Sequence, residues 1–136
     1  MITDAHGTPL AAILTGANCH DVTQLLPLVD AVPTIRGKAG RPLSRVGTLL
    51  ADRGYDSDPH RAQLRKRGIT PRIARRYTEN GSGLGRFRYV VEQTHALLHQ
   101  FRRLRTRFEK RGYIHEALLE LGCAIFCWRR HNHGYF

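Results

Sequence analysis

Six consecutive residues, Val46-Gly47-Thr48-Leu49-Leu50-Ala51, carry no charge and run straight into an acid, Asp52. This run constrains the fold more than any other stretch. A short, nearly all-apolar segment reads as a strand buried on both faces, of the kind found inside a parallel or mixed sheet. Asp58 and Pro59 then open a helix, with Asp58 as the N-cap and Pro59 in the first turn. Gly68 closes it as a C-terminal glycine, and Ile69 to Ala74 forms a second short strand. Strand, helix, strand in this order predicts a right-handed parallel crossover. Asp52 is thereby placed at the C-terminal end of a strand, where α/β sheets present their reactive groups.

The flanking segments complete an α/β reading. Met1–Asp4 and Pro9–Thr15 read as a hairpin around Asp4-Ala5-His6-Gly7-Thr8, with Gly7 free to take positive φ. Asp21 opens a helix as its cap, and Gln24 completes a capping box ahead of Leu25, Leu26, Leu28, Val29 and Val32. Pro33 to Arg45 is a loop bearing Arg36, Lys38, Arg41 and Arg45; a solvated linker is its plain account, a mobile phosphate-contacting loop its functional one. Arg75 to Gly85 is polar, glycine-rich and expected to be mobile. From Arg86 to Lys110, Phe87, Val90, Val91, Thr94, Leu97, Leu98, Phe101, Leu104 and Phe108 recur at helical steps, which predicts one long helix ended by Gly112. A last helix, Tyr113 to Arg130, carries Ile114, Ala117, Leu118, Leu121, Ile125 and Trp128.

Charge narrows the partner. The 136 residues hold 22 Lys and Arg against 11 Asp and Glu, a net +11 with His neutral. Such a surplus in so short a chain points to a polyanion, most often nucleic acid. Eight basic residues and two acids fall between Arg86 and Arg111, and seven basic residues with no acid between Pro59 and Thr78. Any single arginine is more simply a solvated side chain. A whole uncompensated row repels itself, and a phosphate backbone relieves that repulsion with release of counterions. Three cysteines cannot all pair internally, so a disulfide scaffold is excluded and a reducing cytoplasm fits. The longest apolar run, Leu121 to Trp128, is too short to span a bilayer, and the start lacks a signal-peptide layout.

Two acids stand out in this positive field. Asp52 follows the buried strand. Glu92 shares a helix face with Arg88, His95 and His99 at steps of four, three and four. Singly, each has a plain account: Asp52 caps a turn before Gly54, and Glu92 pairs with Arg88. Together they suit a hard divalent cation held against phosphate, since Mg²⁺ prefers carboxylate oxygens and keeps positions open. Other constellations read as packing. Cys123, Cys127 and His131 lack the paired knuckles of structural zinc and are expected as small buried residues. His95 and His99 lack the glutamate that a metallopeptidase helix needs and read as surface or DNA-facing. Trp128 reads as a core anchor, while Tyr55 either orients substrate near Asp52 or packs the turn.

Ala51-Asp52-Arg53-Gly54-Tyr55-Asp56-Ser57 and Gly85-Arg86-Phe87-Arg88-Tyr89-Val90-Val91-Glu92, with 39 residues between Asp52 and Glu92, closely resemble bacterial insertion-sequence transposases of the DDE class, the fourth and fifth insertion-sequence families. The resemblance runs on through Leu98 to Arg105 and covers Thr3 to Leu10 and Thr15 to Asp21, nearly the whole chain. It implies an RNase H-like fold, with Asp52 as the second catalytic acid and Glu92 as the third. It implies two Mg²⁺ or Mn²⁺ ions in the intact site, held in part by Asp52 and Glu92. It implies insertion-sequence ends and target as the DNA partners, contacted by Arg53, Arg88, His99, Arg102, Arg103 and Arg105. Arg88 matches the basic residue of the family's Tyr-Arg-Glu-Lys signature. The Lys expected seven residues after the Glu is His99 here, with Arg102 or Arg103 available in its place.

The family's first catalytic Asp lies on a strand before the hairpin, and Asp4 matches the hairpin turn instead. The expectation is therefore an incomplete RNase H-like fold, residues 1–136, from a truncated or frameshifted element. Its architecture is an N-terminal hairpin, a strand–helix–strand unit and two long C-terminal helices. Without the first strand, the hairpin and Val46–Ala51 either pair directly, leave a gap, or need another chain. A homodimer or a complementing N-terminal fragment would serve, in a cytoplasmic, nucleoid-associated setting. Weak or no catalysis is expected of the chain by itself, since two acids cannot supply a three-acid site. The alternatives are a non-catalytic basic nucleic-acid binder and a decayed transposase remnant.

Overall fold

The strand–helix–strand unit forms within Ala17–Arg88, one of two compact units of the computed structural model; the other joins Met1–Gly16 to Tyr89–Phe136. The structure describes residues 1–16, 18–34, 46–77 and 85–132, with the backbone alone at 85–88. Most of the loop read at Pro33–Arg45 and most of the glycine-rich stretch Arg75–Gly85 lie outside the described residues.

In the unit Ala17–Arg88, β3 (Thr48–Ala51) pairs in parallel with β4 (Thr70–Ile73), Thr48 opposite Thr70 and Ala51 opposite Ile73. The helix α2 (Asp58–Lys66) joins them. Gly68 takes φ +76° beyond its end, the left-handed turn that favours glycine. The expectation that β3 is buried on both faces is corrected. Leu49 is 6% exposed and Leu50 40%, because among the described residues the sheet has only two strands and one face is covered. The buried side is Leu25, Leu28 and Val29 of α1 (Leu25–Asp30) with Leu49, Leu64, Ile69, Ile73 and Ala74. Burying such side chains contributes about 1.5–3 kcal/mol each.

Both predicted aspartate caps shift. Asp21 lies inside a 3₁₀ turn, Asp21–Gln24, and His20 holds the cap position. The His20 carbonyl accepts from the Thr23 amide at 3.0 Å and from the Thr23 hydroxyl at 2.7 Å. Asp58 is the first residue of α2, and Ser57 holds the N-cap position without a capping bond from its side chain. The Asp58 carboxylate is taken by Arg75 Nη1 at 2.6 Å, and the Ser57 hydroxyl sits 2.8 Å from His60 Nδ1. An acid in a first turn still complements the helix dipole.

The unit Met1–Gly16 with Tyr89–Phe136 contains the hairpin and three helices. β1 (Ile2–Thr3) and β2 (Pro9–Ala11) are antiparallel and shorter than predicted. The Asp4 carboxylate accepts from the His6 and Thr8 amides at 2.9 and 2.8 Å, and Gly7 takes φ +86°. Thr94, 1% exposed, donates its hydroxyl to the Gly7 carbonyl at 2.7 Å, or to its own helix at Val90 O, 3.0 Å away. A Cβ on Gly7 would lie 2.9 Å from Thr94 Oγ1, so both the turn and this approach require glycine.

The single long helix expected from Arg86 to Lys110 is two helices, α3 (Gly85–Leu98) and the one-turn α4 (Arg102–Arg105). Gln100 and Phe101 amides donate to Leu97 and Leu98 carbonyls, closing α3 in a tightened turn, and Phe101 is extended at φ −73°, ψ 115°. The break lets Leu98, Phe101 and Leu104 gather around Gly122 of α5 (Gly112–Asn132). A Cβ on Gly122 would sit 2.8 Å from Leu104 Cδ1. Trp128 is 67% exposed and is not a core anchor. It lies six residues after Gly122, about a third of a turn away from the packed face. Leu121 and Ile114, one and two heptads earlier, share its exposed side. Among the described residues no helix is long and apolar enough to cross a membrane. The two strand pairs are separate sheets, so no ladder joins the hairpin to β3 among the described residues.

Candidate functional site

Asp52 stands at the end of β3 and caps a 3₁₀ turn, Arg53–Tyr55. Its Oδ1 accepts from the Gly54 amide at 2.9 Å, which is the plain role its sequence position suggests. Among the described residues none donates to Oδ2.

The turn is gripped from outside by three groups. Arg76 Nε donates to the Arg53 carbonyl at 3.0 Å and Arg76 Nη2 to the Gly54 carbonyl at 3.1 Å. The Arg76 amide donates to Asp56 Oδ2 at 2.8 Å. Buried Arg61 donates through Nε and Nη2 to Asp56 Oδ1 at 3.0 and 2.6 Å, and through Nη2 to the Ile73 carbonyl at 2.8 Å. The Arg76 amide, then Arg61, hold the Asp56 carboxyl below its ordinary range. Tyr55 packs the turn half-buried; burial raises its hydroxyl's pKa, with the charges of Asp21 and Asp52 adding to the effect.

Glu92 belongs to the other unit. It is exposed on α3, as is His95; His99, exposed in the turn just after α3, has its ring 6.4 Å from that of His95 at 54°. Thr94 and Leu98 occupy the buried side of the helix. The helical face read from sequence is therefore present at three of its four positions; the Arg88 side chain lies outside the described residues. Asp52 and Glu92 thus fall in different units. Among the described residues no three His, Cys, Asp or Glu side chains gather as a metal-holding cluster. That excludes Cys123–Cys127–His131 as such a group, and burial raises both thiols, which disfavours the thiolate that zinc needs. Both cysteines are half-buried, with Cys127 Sγ 3.8 Å from the Pro9 carbonyl.

The arginines divide. Arg53 is half-buried beside Asp52. Arg102 lies over the Phe108 ring at 5.8 Å, Arg105 is exposed, and Arg103 Nη1 meets buried Glu109 at 2.5 Å. Along α2 and β4, Arg61, Arg67, Arg75 and Arg76 all bond within the chain, Arg67 to Asp30. The row that looked uncompensated is partly neutralised by Asp56 and Asp58, which lie just before it in sequence, and by Asp30, which lies far upstream. Arg65, Lys66 and Arg72 remain exposed. Sequence reasoning missed Arg61, Arg76, Asp56 and Glu109. The signal available for Arg61 was an acid five residues earlier, ahead of a helix. It also missed a cavity of about 410 Å³ in the unit with Glu92, lined by His6, Gln93, Leu97, Phe101, Phe126 and Arg129 among others.

The profile of the transposase DDE domain matches residues 1–127, and the chain belongs to that family. It is 66% identical over 128 residues to a Burkholderia cepacia protein described as a transposase for insertion sequence element IS402, covering 94% of this chain and 61% of that relative. It is 31% identical over 108 residues to the transposase for insertion sequence element IS1106 of Neisseria meningitidis serogroup B, covering 72% of this chain and 34% of that relative. The chain thus spans about three fifths of the first relative and a third of the second. No solved structure gives a significant match.

Proposed function

We propose that the chain is the part of an insertion-sequence transposase that carries the second and third catalytic acids, Asp52 and Glu92, on an incomplete RNase H-like fold. The observation that carries this is Asp52: it ends a parallel strand, is fixed by one oxygen and offers the other. Each acid fits a Mg²⁺ or Mn²⁺ ion as a single carboxylate ligand, Asp52 through Oδ2 and Glu92 from an exposed helix face. The ions when bound supply charge stabilisation at the phosphate and an activated water. The protein's own part is to hold those carboxylates still and to keep DNA against them. Arg53, Arg88, His99, Arg102, Arg103 and Arg105 would contact the DNA backbone, giving affinity without sequence reading. The first acid would come from another segment, in the same chain, a second copy or a complementing fragment.

Strand transfer by a chain extended to its relatives' length tests the reading. Asp52→Ala and Glu92→Ala each abolish transfer and spare DNA binding. Cleavage retained by both variants would overturn it.

A further inference from the structure

The Arg53–Gly54 peptide is held at both ends. Its carbonyl accepts from Arg76 Nε at 3.0 Å, and its N–H donates to Asp52 Oδ1 at 2.9 Å. One amide plane therefore links a guanidinium to the carboxylate. Hydrogen bonds in such a chain polarise one another: a cation at the carbonyl strengthens the N–H as a donor. The planar fork of arginine also reaches the next carbonyl, Gly54, at 3.1 Å, and so fixes the tilt of the turn as well as its charge. The Arg76 backbone is tied in turn to Asp56 Oδ2 at 2.8 Å. Arg76 itself arrives from just beyond β4, so the partner strand of β3 supplies the hand that steadies the end of β3.

We infer that Arg76 is a positioning residue for Asp52: acting through the Arg53–Gly54 peptide, it commits Oδ1 to the turn and leaves Oδ2 as the oxygen presented to a divalent cation. This rests on the reading of Asp52 as a metal ligand. Arg76 does not touch the metal or DNA phosphate in this role. Lysine cannot replace it fully, because an ammonium reaches one carbonyl and arginine's fork reaches two.

The test uses the 136-residue chain, Mn²⁺ alone as probe, and amide NMR. Mn²⁺ broadens the amides around Gly54, and Asp52→Asn removes that broadening. Arg76→Ala moves the Gly54 amide resonance upfield, as its hydrogen bond to Asp52 weakens. It lowers Mn²⁺ affinity at this turn roughly fivefold, the scale of one lost hydrogen bond, while thermal unfolding stays cooperative. Arg76→Lys gives a smaller loss, about twofold, in line with the one carbonyl it can still reach. If Asp52→Asn removes the broadening but Arg76→Ala keeps both the wild-type Gly54 shift and the wild-type affinity, the positioning role falls and Asp52 stands. If Asp52→Asn leaves the broadening in place, the metal role of Asp52 falls, and this inference with it. Should Arg76→Ala fail to fold, Arg76→Lys decides: wild-type affinity there overturns the role.

Discussion

The arginines of α2 and β4 and those of α4 share a side chain, a density and a run of basic neighbours. In the unit Ala17–Arg88 the guanidinium of Arg61 is sealed against Asp56 and the Ile73 carbonyl, and Arg76 is bound to a turn. On α4, Arg103 is tied to Glu109, while Arg102 and Arg105 are exposed, Arg102 lying over the Phe108 ring. The first group builds a scaffold for one carboxylate. The second group is a cationic surface. Counting charges along a stretch of sequence treats them alike, because the acids that neutralise the first group come from outside the stretch. A buried pair with extra hydrogen bonds is costly to break from one side, whereas an exposed cation is almost free to remove.

Breaking the first region gives the largest effect. Arg61→Ala strands a buried Asp56 carboxylate and an unsatisfied Ile73 carbonyl, and costs about 3 kcal/mol in denaturant unfolding. A change within a few tenths of a kcal/mol would show that the pair is not what holds this unit. A smaller effect follows from pH. The Asp56 carboxyl is depressed in the folded chain, so the stability it confers is present above the ordinary carboxylate value and lost as pH falls through the folded one. Melting temperature should drop on acidification below about pH 4, and Asp56→Asn should start lower and show a flatter drop. The smallest effect on stability belongs to the second region. Arg102→Ala with Arg105→Ala leaves unfolding within about 0.5 kcal/mol. It lowers the salt slope of duplex DNA binding by about 0.9 for each phosphate no longer neutralised. A slope equal to wild type would remove α4 from the DNA surface.

Local rules served where one residue sets one conformation. Gly7 and Gly68 take the positive φ their turns require, and Asp52 falls at a strand end as the apolar run implied. The α3–α4 break was invisible for a physical reason. Phe101 and Leu104 continue the same three- and four-residue spacing as Leu97 and Leu98, so periodicity cannot register a turn between two helices that serve one core. What decides it is Gly122, some twenty residues further on, whose bare Cα admits Leu104. The cap shifts at Asp21 and Asp58 are smaller: each moved by one residue, Asp58 because Arg75 competes for its carboxylate. The clamp on Asp52 was illegible for the opposite reason. It is built by Arg76, which bonds the Arg53 and Gly54 carbonyls, and by Arg61, which holds the neighbouring Asp56; in sequence both are members of an undifferentiated basic run.

The buried hydroxyl of Thr94 on the Gly7 carbonyl joins residues 87 positions apart. The hairpin therefore belongs to a body whose remaining pieces are translated later, while the whole of Ala17–Arg88 emerges in between. On a ribosome, the intervening unit can complete its own core before Ile2 has a neighbour to cover it. Loop-closure entropy of roughly (3/2)RT ln n across that interval opposes the hairpin's docking until α3 and α5 exist. Long-range closure of this kind slows the final step relative to the local folding that precedes it.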